Sequence, residues 1–213
     1  MNTIHGVIFD CDGVLFESRR ANLAYYNTLL AHFDEPPVAE HDQARADLCH
    51  TAASGHVLTE LLGAERAAEA LRIAADLDYR QFIPYMTPEP GMHEALARLA
   101  DSLPLAVATN RGYSMPTILQ HFGLQDYFRT VVTCHDVAHP KPAPDMLLEV
   151  ARRLQIAVEN LLFVGDSELD HAAAEAAGMP FAHYRGRLAA DLRVQHHEEL
   201  VTLLLADERR GKT

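Results

Sequence analysis

The chain has 213 residues, of which 48 % are hydrophobic and 23 % charged, and its net charge at neutral pH is −12. This length allows one domain with a well-filled core, or a domain that carries an insertion. The acidic balance argues against nucleic acid or an anionic membrane surface as the main partner, because both carry negative charge themselves.

The cysteines and the N-terminal residues indicate in which cellular compartment the protein is expected. Cys11, Cys49 and Cys134 are far apart and form no Cys-x-x-Cys pair, so reduced thiols are expected rather than a disulfide framework. The first apolar run ends at Asp10, too early for a signal peptide, and no run reaches the length of a membrane span. We therefore expect a cytoplasmic protein. These features say nothing about its oligomeric state.

The first predicted element is a short apolar strand, residues 7–9, which stops at Asp10-Cys11-Asp12-Gly13. Two carboxylates so close together repel each other, which is costly at the end of a buried strand unless a cation or phosphate chemistry uses them. The pair suits a divalent cation together with a nucleophile or an acid/base group. Taken alone, the same residues are also typical of a solvated turn.

A helical block follows the first strand. From about Glu17 to Tyr85 no β-type run occurs, and Ala and Leu recur at helical spacing. We predict helices near residues 21–30, 44–52, 57–62 and 67–82. A proline-rich stretch over residues 84–91 closes this block of about 70 residues.

The rest of the chain alternates between strands and helices. Strands are predicted at 103–108, 130–133, 161–164 and 181–184, with helices at 92–100, 115–122, 145–154, 169–177 and 200–205. Strands that alternate with helices of this length are typical of βαβ units and a parallel sheet. The fold class is therefore α/β: the first strand joins a sheet made by the second half of the chain, and the helical block is an insertion.

Polar side chains follow each of the main predicted strands. In an open parallel sheet the active groups lie outside the carboxyl ends of the strands. These residues are Asp10 and Asp12 after the first strand, Thr109 and Asn110 after the second, Lys141 after the third, and Asp166 and Asp170 after the fourth. We expect them to converge on one small volume.

Four sequence motifs carry a family resemblance. FDCDGVL, ATN, HPKPAPD and VGDSELD occur in that order, with the helical block after the first. Together they resemble the motifs of the haloacid dehalogenase superfamily, in its phosphoglycolate phosphatase and β-phosphoglucomutase branch. The resemblance implies a Rossmann-like core domain of residues 1–15 and 86–213 and an α-helical cap domain of residues 16–85.

The resemblance also implies catalytic roles. Asp10 is the nucleophile that becomes an aspartyl-phosphate, and Asp12 is the general acid and then the base that activates water. Thr109 and the backbone beside Asn110 bind phosphate oxygens, while Lys141 neutralises the nucleophile and the transferring phosphoryl group. An Asp two residues after the nucleophile favours phosphate esters over dehalogenation, because an alcohol leaving group needs a proton.

A magnesium ion is the implied cofactor. Asp166 holds Mg²⁺ with the Asp10 carboxylate and the Asp12 backbone carbonyl, and Asp170 supports it through water or hydrogen bonds. Physical chemistry supports this cofactor. A carboxylate that attacks an anionic ester is repelled by it, and a cation offsets that repulsion; a few hard oxygen ligands suit Mg²⁺. The implied substrate is a small phosphorylated metabolite. A candidate specificity segment is His50–His56, which also reads as an ordinary helix–helix turn.

Some alternatives remain at this point. A phosphomutase shares the Asp-x-Asp pair and the cap, although the turn Thr109-Asn110-Arg111 favours a phosphatase. A phospho-receiver domain has a different motif order, and a non-catalytic binding protein on the same fold would not need the acids and the lysine. Ser18 either lines the site or begins a helix. His135 lies near a motif and either touches substrate or is a solvated loop residue, which is the interpretation we favour.

Overall fold

The computed structural model describes residues 3–186 and 190–210. Their strands are β1 (Gly6–Phe9), β2 (Phe16–Glu17), β3 (Thr87–Pro88), β4 (Leu105–Thr109), β5 (Phe128–Thr133), β6 (Leu161–Gly165), β7 (Phe181–Tyr184) and β8 (Leu192–Val194). Their helices are α1 (Arg19–Ala31), α2 (Gln43–Thr51), α3 (Ser54–Leu62), α4 (Ala64–Asp76), α5 (Met92–Ala100), α6 (Ser114–Phe122), α7 (Asp145–Leu154), α8 (Glu168–Ala177) and α9 (His197–Arg210).

The main sheet has six parallel strands in the order β5-β4-β1-β6-β7-β8. Strand β1 lies inside it, with Val7 opposite Leu105 of β4 and Leu162 of β6. Both faces of a parallel sheet are covered, which is why β1, β4 and β6 consist almost wholly of apolar residues. This architecture confirms the predicted α/β fold with a parallel sheet.

Helices cover the two faces of this sheet. Successive side chains of a strand point to opposite faces, so Val7 and Phe9 join one apolar cluster and Ile8 joins the other. Helices α5, α6 and α9 pack in the first cluster, and α7 and α8 pack in the second. The carboxyl edge of the sheet is left for the polar residues that follow the strands.

The inserted helices have an apolar cluster of their own. Residues from α1 to α4 make it, with Leu29, Leu30 and Leu58 fully buried. This separate cluster supports the predicted division into a core and a cap. The boundaries of the two domains stay a prediction. The last part of the insertion forms two short 3₁₀ turns, Tyr79–Gln81 and Ile83–Tyr85, where the sequence predicted a continuation of the helices.

The two segments that connect the core to the insertion pair with each other. Phe16 of β2 lies opposite Pro88 of β3 in a two-stranded antiparallel ribbon. A ribbon edge tolerates a proline because the missing N–H is not needed by a further strand. The sequence did not predict this ribbon, nor β8, since two or three residues show no periodicity and the ribbon joins residues about 70 positions apart.

His197 ties α9 to the first of these connecting segments. The imidazole is buried, and its Nε2 lies 2.8 Å from the Val14 carbonyl oxygen. Its ring centroid lies 4.8 Å from that of Tyr184. Burial lowers the pKa of His197 to about 4, although the hydrogen bond to Val14 opposes this. The ring is therefore neutral at pH 7 and donates from Nε2.

We expect His197 to make the fold sensitive to mild acid. The unfolded chain, with a histidine pKa near 6.5, binds more protons than the folded chain between pH 6.5 and pH 4. Stability that is present above pH 6.5 is thus lost as the pH falls, by about 2 kcal/mol between pH 7 and pH 5. His197→Gln keeps a donor for the Val14 carbonyl oxygen but does not titrate. Between pH 7 and pH 5, its free energy of unfolding in urea should therefore fall less than that of the native protein, by about that amount. An equal loss in both proteins would contradict this role.

No helix among the described residues is both long and apolar enough to cross a membrane.

Candidate active site

The structure brings the predicted polar residues together at the carboxyl edge of the sheet. Asp10 follows β1, Thr109 ends β4, and Asp166 follows β6. These strands are neighbours in the sheet, so their ends lie side by side. The geometry agrees with the convergence that strand order predicted.

Lys141 lies between two carboxylates. Its Nζ is 2.9 Å from Asp10 Oδ1 and 2.6 Å from Asp170 Oδ1, and it also donates to the Ala108 carbonyl oxygen at 3.2 Å. Burial alone would lower the pKa of Lys141, but Asp10 and Asp170 raise it above its usual value. The lysine is therefore a fixed positive charge beside the predicted nucleophile.

Asp170 is held by the helix that carries it. It is the third residue of α8, where it forms a reciprocal capping box with Ser167. Its Oδ2 accepts from the Ser167 hydroxyl at 2.6 Å and from the Ser167 backbone N–H at 3.1 Å. Since its Oδ1 accepts from Lys141, both oxygens are engaged, and Asp170 orients the lysine.

Three carboxylates form a cluster that suits a cation. One oxygen from each of Asp10, Asp166 and Asp170 lies within 4.8 Å of the others. Burial and the neighbouring Asp170 and Asp10 raise the pKa of Asp166 well above its usual value. Burial also raises the pKa of Asp10 to about 7, against the lowering effect of Lys141. With all three carboxylates ionised, the cluster would carry more negative charge than Lys141 balances, which is why the pKa values of Asp10 and Asp166 are raised.

These residues fit a magnesium ion. The donor set is all oxygen, which Mg²⁺ prefers, and a further cation would relieve the surplus charge. The backbone beside the cluster leaves room: Gly13 has φ +75, and a Cβ at that position would collide with the Asp166 carboxylate. Glycine is therefore needed at position 13 both for its backbone conformation and for the space of the acidic cluster.

The Asp12 carboxylate turns away from this cluster. It accepts hydrogen bonds from Arg111 Nη2 at 2.5 Å, from Asn22 Nδ2 at 3.1 Å and from the Ser18 hydroxyl. Burial alone would raise the pKa of Asp12, but Arg111 and His50 lower it below its usual value. Any metal contact of Asp12 would thus use its backbone carbonyl, as the resemblance implied. Ser18 precedes α1 but makes no capping hydrogen bond there, so it belongs to the site.

The Asn110 side chain organises the loop rather than pointing freely into the site, while the binding of a phosphate oxygen by Thr109 stays a prediction. The Asn110 side chain accepts from the Lys141 backbone N–H at 3.0 Å and donates to the Lys141 carbonyl at 3.1 Å. It also donates to the carbonyl of Thr51 in α2, at 3.0 Å. The Thr109 hydroxyl accepts from the Arg111 backbone N–H at 3.1 Å. Phosphate contacts of Asn110 would therefore come from its backbone.

Arg111 is a site residue that the sequence analysis did not identify as one. Besides Asp12, its guanidinium donates to Asn22 Oδ1 at 2.7 Å and to the Tyr79 hydroxyl at 2.6 Å. It is 8 % exposed and joins the core to two parts of the helical insertion. The only signal in the sequence was its position directly after Thr109-Asn110.

A cavity of about 50 Å³ lies between the insertion and the core, beside Asp12. His50, from the predicted specificity segment, lines this cavity, and its Nδ1 lies 3.2 Å from Asn22 Nδ2. His135 also lines the cavity, and its ring centroid lies 4.1 Å from that of Tyr113, so this exposed histidine lies beside the site, as the alternative to a solvated loop residue predicted. His139 is exposed and pairs with Asp145 instead.

Comparisons with known proteins find a matching family model and similar proteins. Residues 7–184 match the family model for haloacid dehalogenase-like hydrolases. The chain is 34 % identical over 187 residues to a phosphoglycolate phosphatase of Rhodobacter capsulatus, covering 84 % of this chain and 83 % of that protein.

Solved structures share the fold. The crystal structure of a HAD-superfamily hydrolase, subfamily IA, variant 1, from Geobacter sulfurreducens is 40 % identical with a TM-score of 0.82, over 94 % of this chain and all of that one. CbbY of Rhodobacter sphaeroides, solved in complex with xylulose-1,5-bisphosphate, is 21 % identical with a TM-score of 0.78, over 92 % of this chain and 96 % of that one. At that identity, CbbY shows the fold alone.

Proposed function

Because the chain belongs to the haloacid dehalogenase-like hydrolases and is a phosphatase of a small phosphorylated substrate, we propose that it hydrolyses a phosphate monoester with Asp10 as the nucleophile. The motifs predicted this family and this activity, and both are confirmed. The observation that carries the proposal is the contact of Lys141 with Asp10 and Asp170 beside a cluster of three carboxylates. A structural role would not need a buried lysine in contact with this surplus of acids.

In the first half-reaction, a carboxylate oxygen of Asp10 attacks phosphorus. A bond forms between that oxygen and phosphorus, the ester P–O bond breaks, and Asp12 gives its proton to the leaving alcohol oxygen. Lys141 offsets the negative charge that gathers as a carboxylate meets an anionic ester. The product of this step is an aspartyl-phosphate and a free alcohol.

In the second half-reaction, Asp12 accepts a proton from water as that water attacks the phosphorus. The bond between phosphorus and the Asp10 oxygen breaks, which releases inorganic phosphate and restores the Asp10 carboxylate. The ion pair with Arg111 favours the ionised form of Asp12, which this base role needs. The same pair opposes the protonated form that the first half-reaction needs, so we expect it to loosen when substrate binds.

Magnesium is the proposed cofactor, held by Asp10, Asp166 and the backbone carbonyl of Asp12, with Asp170 in support. When bound, Mg²⁺ would supply positive charge to the transferring phosphoryl group and orient it. The acidic cluster and its all-oxygen donor set support this assignment. The contact of Asp170 with Lys141 and Ser167 supports a role for Asp170 in positioning the lysine rather than in direct coordination.

The test is release of inorganic phosphate from a panel of small phosphate esters that includes phosphoglycolate, which the names of the relatives suggest first. We expect turnover in Mg²⁺ that falls to background in EDTA and returns when Mg²⁺ is restored. Thermal unfolding should show a higher Tm with Mg²⁺ than with EDTA, because the ion binds only the folded site. Metal-independent turnover would contradict the cofactor, and interconversion of a sugar phosphate without phosphate release would indicate a mutase.

A further inference from the structure

A histidine of the insertion lines the cavity beside Asp12, and one of its ring nitrogens has no partner among the described residues. This residue is His50, in the last turn of α2. We propose that His50 selects the substrate, by donating a hydrogen bond from Nε2 to a hydroxyl group of the leaving alcohol. The substrate class is then the phosphate monoesters of short neutral diols and triols. This inference rests on the proposed function, since it assumes that the leaving group lies beside Asp12.

The Asn22 amide fixes which nitrogen of His50 carries the proton. Arginine only donates, so Asn22 Oδ1 is the atom that faces Arg111 Nη2, at 2.7 Å. Asn22 Nδ2 therefore donates to Asp12 Oδ1 at 3.1 Å and to His50 Nδ1 at 3.2 Å. Burial lowers the pKa of His50 below its usual value, although Asp12 opposes this, so the ring is neutral at pH 7. Since Nδ1 accepts, the proton of the neutral ring is on Nε2.

This Nε2 donor is open to the cavity. Within residues 3–186 and 190–210, the ring's hydrogen bond is the one with Asn22, so Nε2 has no partner there. Nε2 is also not one of the fully buried side-chain atoms that lack a partner, which means that it is accessible from the cavity that the ring lines. Water or a ligand oxygen satisfies such an N–H, whereas a methyl group that displaces the water leaves it unpaired and loses affinity.

The charges around the cavity favour a neutral leaving group. Asp12 and Arg111 are 2.5 Å apart, so each charge already has its counterion. Among the described residues that line the cavity there is no lysine and no arginine other than Arg111. A carboxylate on the substrate would find no unpaired lysine or arginine and would be repelled by the Asp12 carboxylate. A hydroxyl group brings no charge and has no such cost.

The insertion lines the same cavity with neutral hydroxyl groups. Tyr25, Tyr26 and Ser54 contribute them, and the Tyr26 and Ser54 oxygens lie 3.1 Å apart. Burial raises the pKa of Tyr25 to about 12, so its phenol is neutral at pH 7. A hydroxyl group both donates and accepts. A leaving alcohol with a further hydroxyl group can therefore accept from His50 and donate to one of these oxygens.

The position of His50 sets where that further hydroxyl group is. Asn22 Nδ2 contacts both Asp12 and His50, so the imidazole is one amide group away from the carboxyl that protonates the ester oxygen in the proposed reaction. A hydroxyl group that reaches Nε2 is therefore only a few bonds from the ester oxygen. The cavity of about 50 Å³ has room for roughly three or four water-sized groups, which fits two or three carbon atoms and a hydroxyl group rather than a sugar ring or a nucleoside.

The competing explanation is that His50 only holds Asn22, and through it Asp12. Two substitutions separate the explanations. His50→Asn keeps an acceptor for Asn22 in the place of Nδ1 but has no donor at Nε2, whereas His50→Gln places an N–H near Nε2 and loses the acceptor. A histidine that only holds Asn22 affects the esters of all alcohols alike. A histidine that binds a hydroxyl group affects esters with that group more.

The experiment compares 2-hydroxyethyl phosphate with propyl phosphate, which has a methyl group in place of the hydroxyl group, and with phosphoglycolate, which has a carboxylate in place of the hydroxymethyl group. With Mg²⁺ present, we expect kcat/KM of the native protein for 2-hydroxyethyl phosphate to exceed that for each of the others by at least about tenfold. In His50→Asn the ratio to propyl phosphate should fall to within about threefold of unity, and in His50→Gln it should stay above that. The control is His41→Asn, which changes an exposed histidine before α2 and should leave the ratio unchanged.

Binding of stable analogues gives a second readout that needs neither turnover nor a folded His50 variant. Calorimetry on the native protein with Mg²⁺ should show that 3-hydroxypropylphosphonate binds at least about fivefold more tightly than butylphosphonate or 3-phosphonopropionate. Equal binding of the hydroxyl and methyl analogues, tighter binding of the carboxylate analogue, or a kcat/KM ratio that His50→Asn leaves unchanged would overturn the inference. If the native protein prefers phosphoglycolate, the inference fails and the proposed phosphatase stands. If it hydrolyses no ester in the panel, the proposed function itself fails.

Discussion

Replacing Asp10 by asparagine is expected to lower kcat by at least about 10⁴-fold while leaving the fold intact. The amide has the size of the carboxylate but is not a nucleophile, so no aspartyl-phosphate forms. Burial and the neighbouring acids raise the pKa of Asp10 to about 7, which means that its charge is unfavourable in the folded protein. Asp10→Asn should therefore unfold at the same temperature as the native protein or at a higher one in the absence of Mg²⁺.

Two measurements check this pair of outcomes. Phosphate release measures the loss of turnover, and intact mass after a rapid acid quench should detect phosphorylated protein for the native chain but not for Asp10→Asn. Asp101→Asn is a matched control, because it removes one negative charge from an exposed residue at the end of α5. Turnover in Asp10→Asn at more than a percent of the native rate would rule out the covalent step through this residue.

Replacing Lys141 by methionine should have the second largest effect, and it should reduce both stability and activity. The change leaves Asp10 and Asp170 buried without the cation that contacts both. Removing one partner of a buried ion pair costs about 3–5 kcal/mol, because the remaining charge is not compensated. The rate should fall by about 10³-fold, since no other cation among the described residues contacts the attacking Asp10 carboxylate.

A second substitution separates the two effects of Lys141. In Lys141→Met combined with Asp170→Asn, one of the two uncompensated carboxylates is gone, so part of the lost stability should return while the activity does not. Urea unfolding of both single variants and the double variant gives the coupling energy between Lys141 and Asp170. Strictly additive stability changes would mean that the 2.6 Å contact between these side chains contributes nothing to folding.

Much of the fold could be predicted because the elements that form it depend on residues close together in the sequence. The bounds of α5 and α7 coincide with the predicted helices 92–100 and 145–154, since their apolar residues recur at helical spacing. The strand β7 also coincides with its prediction at 181–184. The ribbon of β2 and β3 could not be predicted in the same way, because its two strands have only two residues each and depend on a pairing between distant segments.

The chemical site was predictable to the same extent and for the same reason. Asp10, Lys141 and Asp166 each follow a predicted strand in a recognisable motif, and the parallel sheet places the ends of those strands together. Arg111 stands in a motif too, but its partners Asn22 and Tyr79 are 89 and 32 positions away in the chain. No local pattern marks such contacts.

The sequence by itself determined the family, the parallel sheet, the helical insertion and which side chains lie at the carboxyl edge, because strand ends and motif spacing are local properties of the chain. Only the tertiary structure decided how those side chains pair. It placed the Asp12 carboxylate against Arg111 rather than in the acidic cluster, and it engaged Asp170 with Lys141. The physical reason is that these pairings depend on how the insertion packs on the core and on the balance of buried charge. Both are set by contacts between segments far apart in sequence.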